Sequence, residues 1–391
     1  MRIALFTDSN IHYSDGVARI VQELARHVER NPGHALLICH RSREGIQRNG
    51  SSVETVGVYR AALTIPGYNV YPWLYLRSPK RALLREVRSF QPQVLLTVTP
   101  YILRGIGSTA FFLSRRLRVP VVGSFDVQLA KLAEYYLANI FRFALVIRFF
   151  QWLIDRRVGL FRQCTRILVP SQSVERFVQQ SWPAIPTVLF RRAVDAEVFH
   201  PRFRSEEFRS RHGLSGKEVI LFVGRLAREK NLPELARMYG RIKQRRPSAA
   251  LLIVGEGPER EAVEAMGLPD VLFTGRLTGI ELSTAYASSD VFAFASLAEA
   301  GPMVILEAMA SGLPVVVART GGARDDVTDG ENGFVAPDLP AFEAGLERLI
   351  SDCALRSRMG EAARRHAEAH GWDTVWGAVL SALAVAPRGR G

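Results

Sequence analysis

Short apolar runs alternate along the whole chain with stretches in which apolar residues recur every three or four positions. A brief apolar run between polar or glycine-rich turns reads as a strand buried on both faces, and the periodic stretches read as amphipathic helices. In the first half strands are expected at Ile3–Thr7, Ala35–Cys39, Val94–Val98, Val119–Ser124 and Arg166–Val169. In the second half they are expected at Val219–Val223, Ala250–Val254, Val271–Phe273, Val291–Ala295, Pro314–Val317 and Gly333–Val335. Val17, Ile20, Val21, Leu24 and Val28 keep helical spacing behind Asp15-Gly16, so a helix follows the first strand and its loop. This alternation predicts the α/β class, with two doubly wound parallel-sheet domains and a cleft between them. The N-terminal domain is expected at 1–200. The polar stretch 201–217 carries no strand pattern and is expected to be a linker, followed by a C-terminal domain at 218–370. A last helix at 371–391, with Trp372 and Trp376 as anchors, is expected to pack back on the N-terminal domain.

At 391 residues and 48% hydrophobic content the chain can bury two substantial cores. Its charge is uneven. Residues 1–200 hold 27 Lys and Arg against 13 Asp and Glu, a net of +14, and the remainder nets −1. A basic half attracts polyanions such as an anionic lipid surface or an acidic acceptor. No nucleic-acid recognition motif accompanies it, so nucleic acid is not an expected partner. Cys39, Cys164 and Cys353 have no metal or redox spacing and fit a reducing cytoplasm. The apolar run at Met1–Asp8 is too short for a signal peptide and reads as a first strand. The aromatic stretch 141–157 is interrupted by Arg142 and Arg148, too often to span a bilayer. It reads either as a core helix or as a helix lying in a membrane interface.

The candidate chemistry is concentrated after the expected strands. Glu299-Ala-Gly-Pro-Met-Val-Ile-Leu-Glu307 follows the run Val291–Ala295. Pro302 is placed to open a helix over 304–310 that Gly312 ends, which puts Glu299 in the loop and Glu307 in the helix's first turn. Open parallel sheets bind ligands at that edge. Gly224-Arg225-Leu-Ala-Arg-Glu-Lys230-Asn231 likewise follows Val219–Val223 and places two cations before a helix. Two cations there can stabilise negative charge that develops on a bound ligand. No Asp-x-Asp pair for holding a metal occurs in the chain.

From Glu299 through Ala308-Met-Ala-Ser-Gly312-Leu-Pro314 to Gly321-Gly322, together with the Gly-Arg…Glu-Lys-Asn run, the chain resembles family-4 glycosyltransferases. These are retaining enzymes of the two-domain GT-B fold. Ser14-Asp15-Gly16-Val17 is similar to the family's glycine-rich turn, and Gly255-Glu-Gly257-Pro258 to its turn near the nucleotide base. Glu134-Tyr135-Tyr136, Val169-Pro-Ser171 and Arg192-Ala193-Val194-Asp195 look most like its mannosyl- and sulfosugar-lipid transferases. The chain departs from the pattern at Gly301-Pro302 and at Asp126, where the family commonly has a histidine near the sugar. An ionised Asp there repels a diphosphate unless it bonds a sugar hydroxyl or a cation.

The resemblance implies catalytic roles for Arg225, Lys230, Glu299 and Asp126. It implies nucleotide-sugar contacts at Gly16, Gly224, Gly255 and Glu307, and around the helix start at Gly301, Pro302, Met303 and Val304. The donor it implies is a GDP- or UDP-sugar, with mannose favoured. The acceptor is lipid-linked or a saccharide, the site holds no metal or cofactor, and the enzyme is cytoplasmic or peripheral on the inner membrane face. Two other classes fit the same architecture, a sugar-nucleotide epimerase and a non-catalytic nucleotide-sugar-binding protein.

Overall fold

The computed structural model describes residues 1–11, 16–47, 51–59, 62–65, 68–76, 78–98, 104–125, 158–297, 299–319 and 321–384. Asp126, Ser14-Asp15, Glu134-Tyr135-Tyr136 and the aromatic segment 141–157 lie outside them. The chain divides into two compact units, Met1–Phe190 with Trp372–Gly391, and Arg191–Gly371.

The first unit holds β1 (Arg2–Thr7), β2 (Ala35–His40), β3 (Ile46–Gln47), β4 (Val53–Gly57), the hairpin β5 (Ala62–Ile65) and β6 (Tyr68–Tyr75), β7 (Val94–Val98), β8 (Val121–Ser124), β9 (Arg166–Val169) and β10 (Thr187–Leu189). Eight of them form one sheet in the order β10-β9-β8-β7-β1-β2-β4-β3. It is parallel except where β3 pairs antiparallel with β4. The order reverses between β1 and β7, the topological switch point. There Asp8, 1% exposed, accepts from the backbone N–H groups of Ile106 (2.7 Å) and Gly107 (3.0 Å) at the start of the helix Ile106–Leu117. A carboxylate at those unpaired donors is favoured by the helix dipole.

The helix Trp372–Leu383 belongs to this unit. Trp376 is 1% exposed and packs its ring 5.1 Å from that of Phe190, while Asp373 meets His27 at 3.1 Å. Burying an aromatic or aliphatic side chain of this size stabilises by about 1.5–3 kcal/mol, which fastens the chain's last helix by its apolar face.

The second unit holds β11 (Glu218–Val223), β12 (Ala249–Val254), β13 (Val271–Gly275), β14 (Val291–Phe294), β15 (Val315–Ala318) and β16 (Gly333–Ala336). They form an all-parallel sheet in the order β13-β12-β11-β14-β15-β16. β11, β12 and β14 are buried almost throughout, which is why their sequences are unbroken apolar runs. The switch point lies between β11 and β14.

The expected linker at 201–217 is folded into this second unit. Ser205 caps the helix Glu206–Arg211 by accepting from Phe208 N–H at 3.1 Å, and Phe208 and Leu214 join the unit's core. Arg209, 4% exposed, donates to the carbonyls of Ser288 (2.6 Å) and Leu214 (3.1 Å). The stretch reads as polar because its buried cation is satisfied by backbone oxygens rather than by solvent. No helix among the described residues is long and apolar enough to cross a membrane.

Candidate active site

The carboxyl ends of β11, β12 and β14 bring the second unit's motifs together. After β11, Gly224 donates its N–H to Val254 O at 3.0 Å, and Leu226 donates to Glu256 O at 2.9 Å. The two loops meet backbone against backbone. A Cβ on Gly255 would stand 1.9 Å from Gly224 O, and Gly255 has φ +140°, so only glycine fits the contact. This packing fixes where Arg225 leaves the chain.

Arg225 donates to Glu229, four residues on, at 2.5 Å; Glu229 is 2% exposed and Arg225 39%. Residues Arg228–Lys230 make a 3₁₀ turn, and Asn231 in the left-handed conformation leads into the helix Leu232–Arg245. Lys230 Nζ pairs with Glu299 Oε1 from the loop after β14, with both side chains largely buried, and stands 5.3 Å from the centre of the Phe294 ring. Ser296 Oγ lies 3.0 Å from Glu229 O and 2.8 Å from Glu299 Oε1, and Leu297 N–H donates to Glu229 O at 2.9 Å. On its other side, Glu299 accepts at its backbone carbonyl from Gly322 N–H at 2.8 Å. Three loops therefore hold Glu299, and Arg225 and Lys230 are each paired with a carboxylate.

The helix after Glu299 runs Met303–Ala310, with Pro302 at its N-cap and no side chain capping it. The first-turn N–H groups of Met303 and Val304 have no partner within the helix and add its positive end to the site. Gly301 O accepts from Arg192 Nε at 3.1 Å, which steadies the approach to this helix. Glu307 lies in the second turn rather than the expected first, because the helix starts at Met303. It is 4% exposed, and its Oε2 accepts from the hydroxyl of the buried Tyr286 at 2.9 Å.

Of the expected residues, Gly224, Arg225, Lys230, Gly255, Glu299, Gly301, Pro302, Met303, Val304 and Glu307 thus gather at the carboxyl edge of one sheet. Gly16 opens the helix Gly16–Arg30 of the other unit, exposed and with open space about it. Asp126 follows β8 in that unit, outside the described residues. Glu229, Ser296 and Tyr286 were not foreseen. The spacing of Arg225 and Glu229 offered a signal for the first, whereas the Tyr286–Glu307 bond joins residues 21 apart with no local pattern.

A family model described as "Glycosyltransferase Family 4" matches residues 14–198, and one described as "Glycosyl transferases group 1" matches 204–366. A "GDP-mannose-dependent alpha-mannosyltransferase" of Mycobacterium tuberculosis is 31% identical over 378 residues, covering 96% of this chain and 94% of that protein. The "Sulfoquinovosyl transferase SQD2" of Arabidopsis thaliana is 30% identical over 387 residues, covering 95% of this chain and 71% of that protein. Among solved structures, a sucrose-phosphate synthase of Thermosynechococcus elongatus superposes with a TM-score of 0.76 at 18% identity, over 97% of each chain. Anabaena HepE in complex with UDP and glucose does so at 0.74 and 16% identity, over 98% of this chain and 99% of that one. At such identities the likeness is one of fold.

Proposed function

The chain belongs to the family-4 glycosyltransferases of GT-B fold, and we propose that it transfers mannose with retention from GDP-mannose to a lipid-linked or saccharide acceptor. The observation that carries the donor is the 31% identity over nearly the whole length of a relative named GDP-mannose-dependent. The geometry supports the following roles. Glu307, with one oxygen held by Tyr286, accepts hydrogen bonds from the ribose hydroxyls. Glu299 holds hydroxyls of the sugar. Arg225 and Lys230 neutralise the diphosphate as it leaves, with the N–H groups of Met303 and Val304 beside them.

Because these groups are preorganised by Glu229, Ser296 and the Gly224–Gly255 contact, they stabilise developing charge with little reorganisation. The acceptor hydroxyl attacks from the face of the leaving group, and a diphosphate oxygen takes its proton as the sugar–oxygen bond breaks. The two cations serve this step without a divalent ion. Asp126 serves the donor sugar, and the N-terminal half, at +14, draws the enzyme to an anionic membrane face where its acceptor resides.

A sulfosugar donor is the second reading, favoured by the 30% identity to the sulfoquinovosyl transferase. The test is a donor panel in which nucleoside diphosphate release is followed with and without membrane lipid extract. The proposal expects acceptor-stimulated GDP release from GDP-mannose, persisting in EDTA. Preference for a UDP-sugar would overturn the mannose assignment, and conversion of donor alone to an isomeric sugar nucleotide would make the protein an epimerase.

A further inference from the structure

We propose that Asp326, His366 and His370 form a binding site for one transition-metal ion of the zinc type, built into the second unit and independent of the donor reading. Asp326 ends the 3₁₀ turn Gly321–Asp326 and is 7% exposed. His366 lies in the last turn of the helix Cys353–Glu368, and His370 stands two residues past its end. Their ring centres are 4.3 Å apart and their planes 26° from parallel.

A backbone carbonyl beside His370 decides which of its ring nitrogens can ligate. His370 Nδ1 stands 2.7 Å from the backbone oxygen of His366, which can only accept. Nδ1 therefore carries the hydrogen in the neutral ring, and Nε2 keeps its lone pair, the arrangement that second-shell carbonyls impose on metal-bound histidines. His366 Nε2 is buried with no hydrogen-bond partner among the described residues, and Asp326 Oδ1 lies 3.9 Å from it. One ligand atom from each of the three residues lies within 4.8 Å of the others. A buried nitrogen without a partner is destabilising, and a cation shared by the three groups removes that cost.

Two imidazoles and one carboxylate suit zinc, cobalt or nickel, and they suit magnesium and calcium poorly, since those prefer oxygen ligands throughout. At metal–ligand bonds of about 2.0–2.1 Å the ligand atoms of a tetrahedral ion stand roughly 3.3 Å apart, so modest side-chain rotation closes the set. A water completes the coordination. The ion would clip the end of the helix Cys353–Glu368 to the turn that begins at Gly321, whose Gly322 N–H holds the Glu299 carbonyl. The site contains no group assigned to the donor.

The test uses the full chain without an affinity tag, dialysed against chelator and then titrated calorimetrically with zinc chloride and separately with magnesium chloride. One zinc per chain is expected to bind, with a rise in the thermal midpoint and no comparable response to magnesium. His370→Gln, at a partly exposed position, is expected to weaken zinc binding at least tenfold while leaving the metal-free midpoint unchanged. Asp326→Asn is expected to do the same, and if that variant does not fold, His370→Gln decides. Absence of zinc binding, zinc affinity unchanged by His370→Gln, or equal binding of magnesium would overturn the proposal.

Discussion

Lys230 and Glu299 form an ion pair across the switch point of the second sheet, tying the loop after β11 to the loop after β14 with both side chains largely buried. If Lys230 neutralises the diphosphate and Glu299 holds the sugar, as proposed, the pair sets a competition in which the arriving phosphate takes Lys230 and releases Glu299. Glu299→Gln then removes the competing charge and the proposed acceptor for the sugar together. GDP affinity, measured by calorimetry, is therefore expected to hold or rise, while turnover with GDP-mannose falls by about 100-fold, the scale of losing one electrostatic stabiliser. Parallel loss of GDP binding and turnover would mean that Glu299 acts through the loop structure alone.

Lys230→Ala separates the other partner. Its turnover is expected to fall by roughly 100-fold or more. In the wild type, turnover is expected to survive EDTA, assayed at a temperature where the chelated protein stays folded. Dependence of the wild-type chemical step on magnesium or manganese would assign the leaving group to a metal ion instead.

Tyr286 is buried and donates to Glu307 Oε2 at 2.9 Å, which holds that carboxylate oxygen in place. Tyr286→Phe keeps the ring against Phe199, whose centre is 5.5 Å away, and deletes only the hydroxyl. Hydrogen bonds to charged groups contribute about 1.5–3 kcal/mol. The donor KM is expected to rise roughly tenfold with kcat nearly constant, as steady-state kinetics would read. A fall in kcat at unchanged KM would place Tyr286 in the chemical step.

Stability at low pH has an identifiable contributor in the second unit. Asp270 accepts from Lys217 Nζ and Lys243 Nζ, each at 2.5 Å, and these bonds, Lys217's first, hold its carboxyl below the ordinary value of 3.8. The folded protein therefore binds this proton less readily than the unfolded chain. The contribution is complete above about pH 5 and is lost as the pH falls through the ordinary value towards the lower folded one. Asp270→Asn is expected to lower the urea midpoint at pH 7 and to flatten its decline below about pH 4. A steeper acid decline in the variant would contradict this.

The sheets were legible because a strand covered on both faces must be apolar at every position, as in Leu221-Phe222-Val223 and Leu251-Leu252-Ile253. Ile46–Gln47 is exposed and two residues long, Thr187–Leu189 is three residues long and half-buried, and neither leaves such a run. The buried Arg209 disguised 201–217 as a connector, since one of its carbonyl partners, Ser288, is distant in sequence. The placement of Arg225, Lys230, Glu299 and Glu307 at the sheet's carboxyl edge was readable because their motifs follow the apolar strands β11 and β14. Tyr286 was not, because its value depends on two helices meeting in three dimensions.

The most direct measurement is calorimetric titration of GDP-mannose into the wild-type protein and into Glu307→Ala. Glu307 is the carboxylate proposed to hold the ribose. Saturable one-to-one binding to the wild type is expected, weakened at least about tenfold in the variant, a loss of roughly 1.4 kcal/mol. Equal affinity in the two proteins, or no binding of GDP-mannose or any other sugar nucleotide to the wild type, would contradict the assignment of this sheet edge as the donor site.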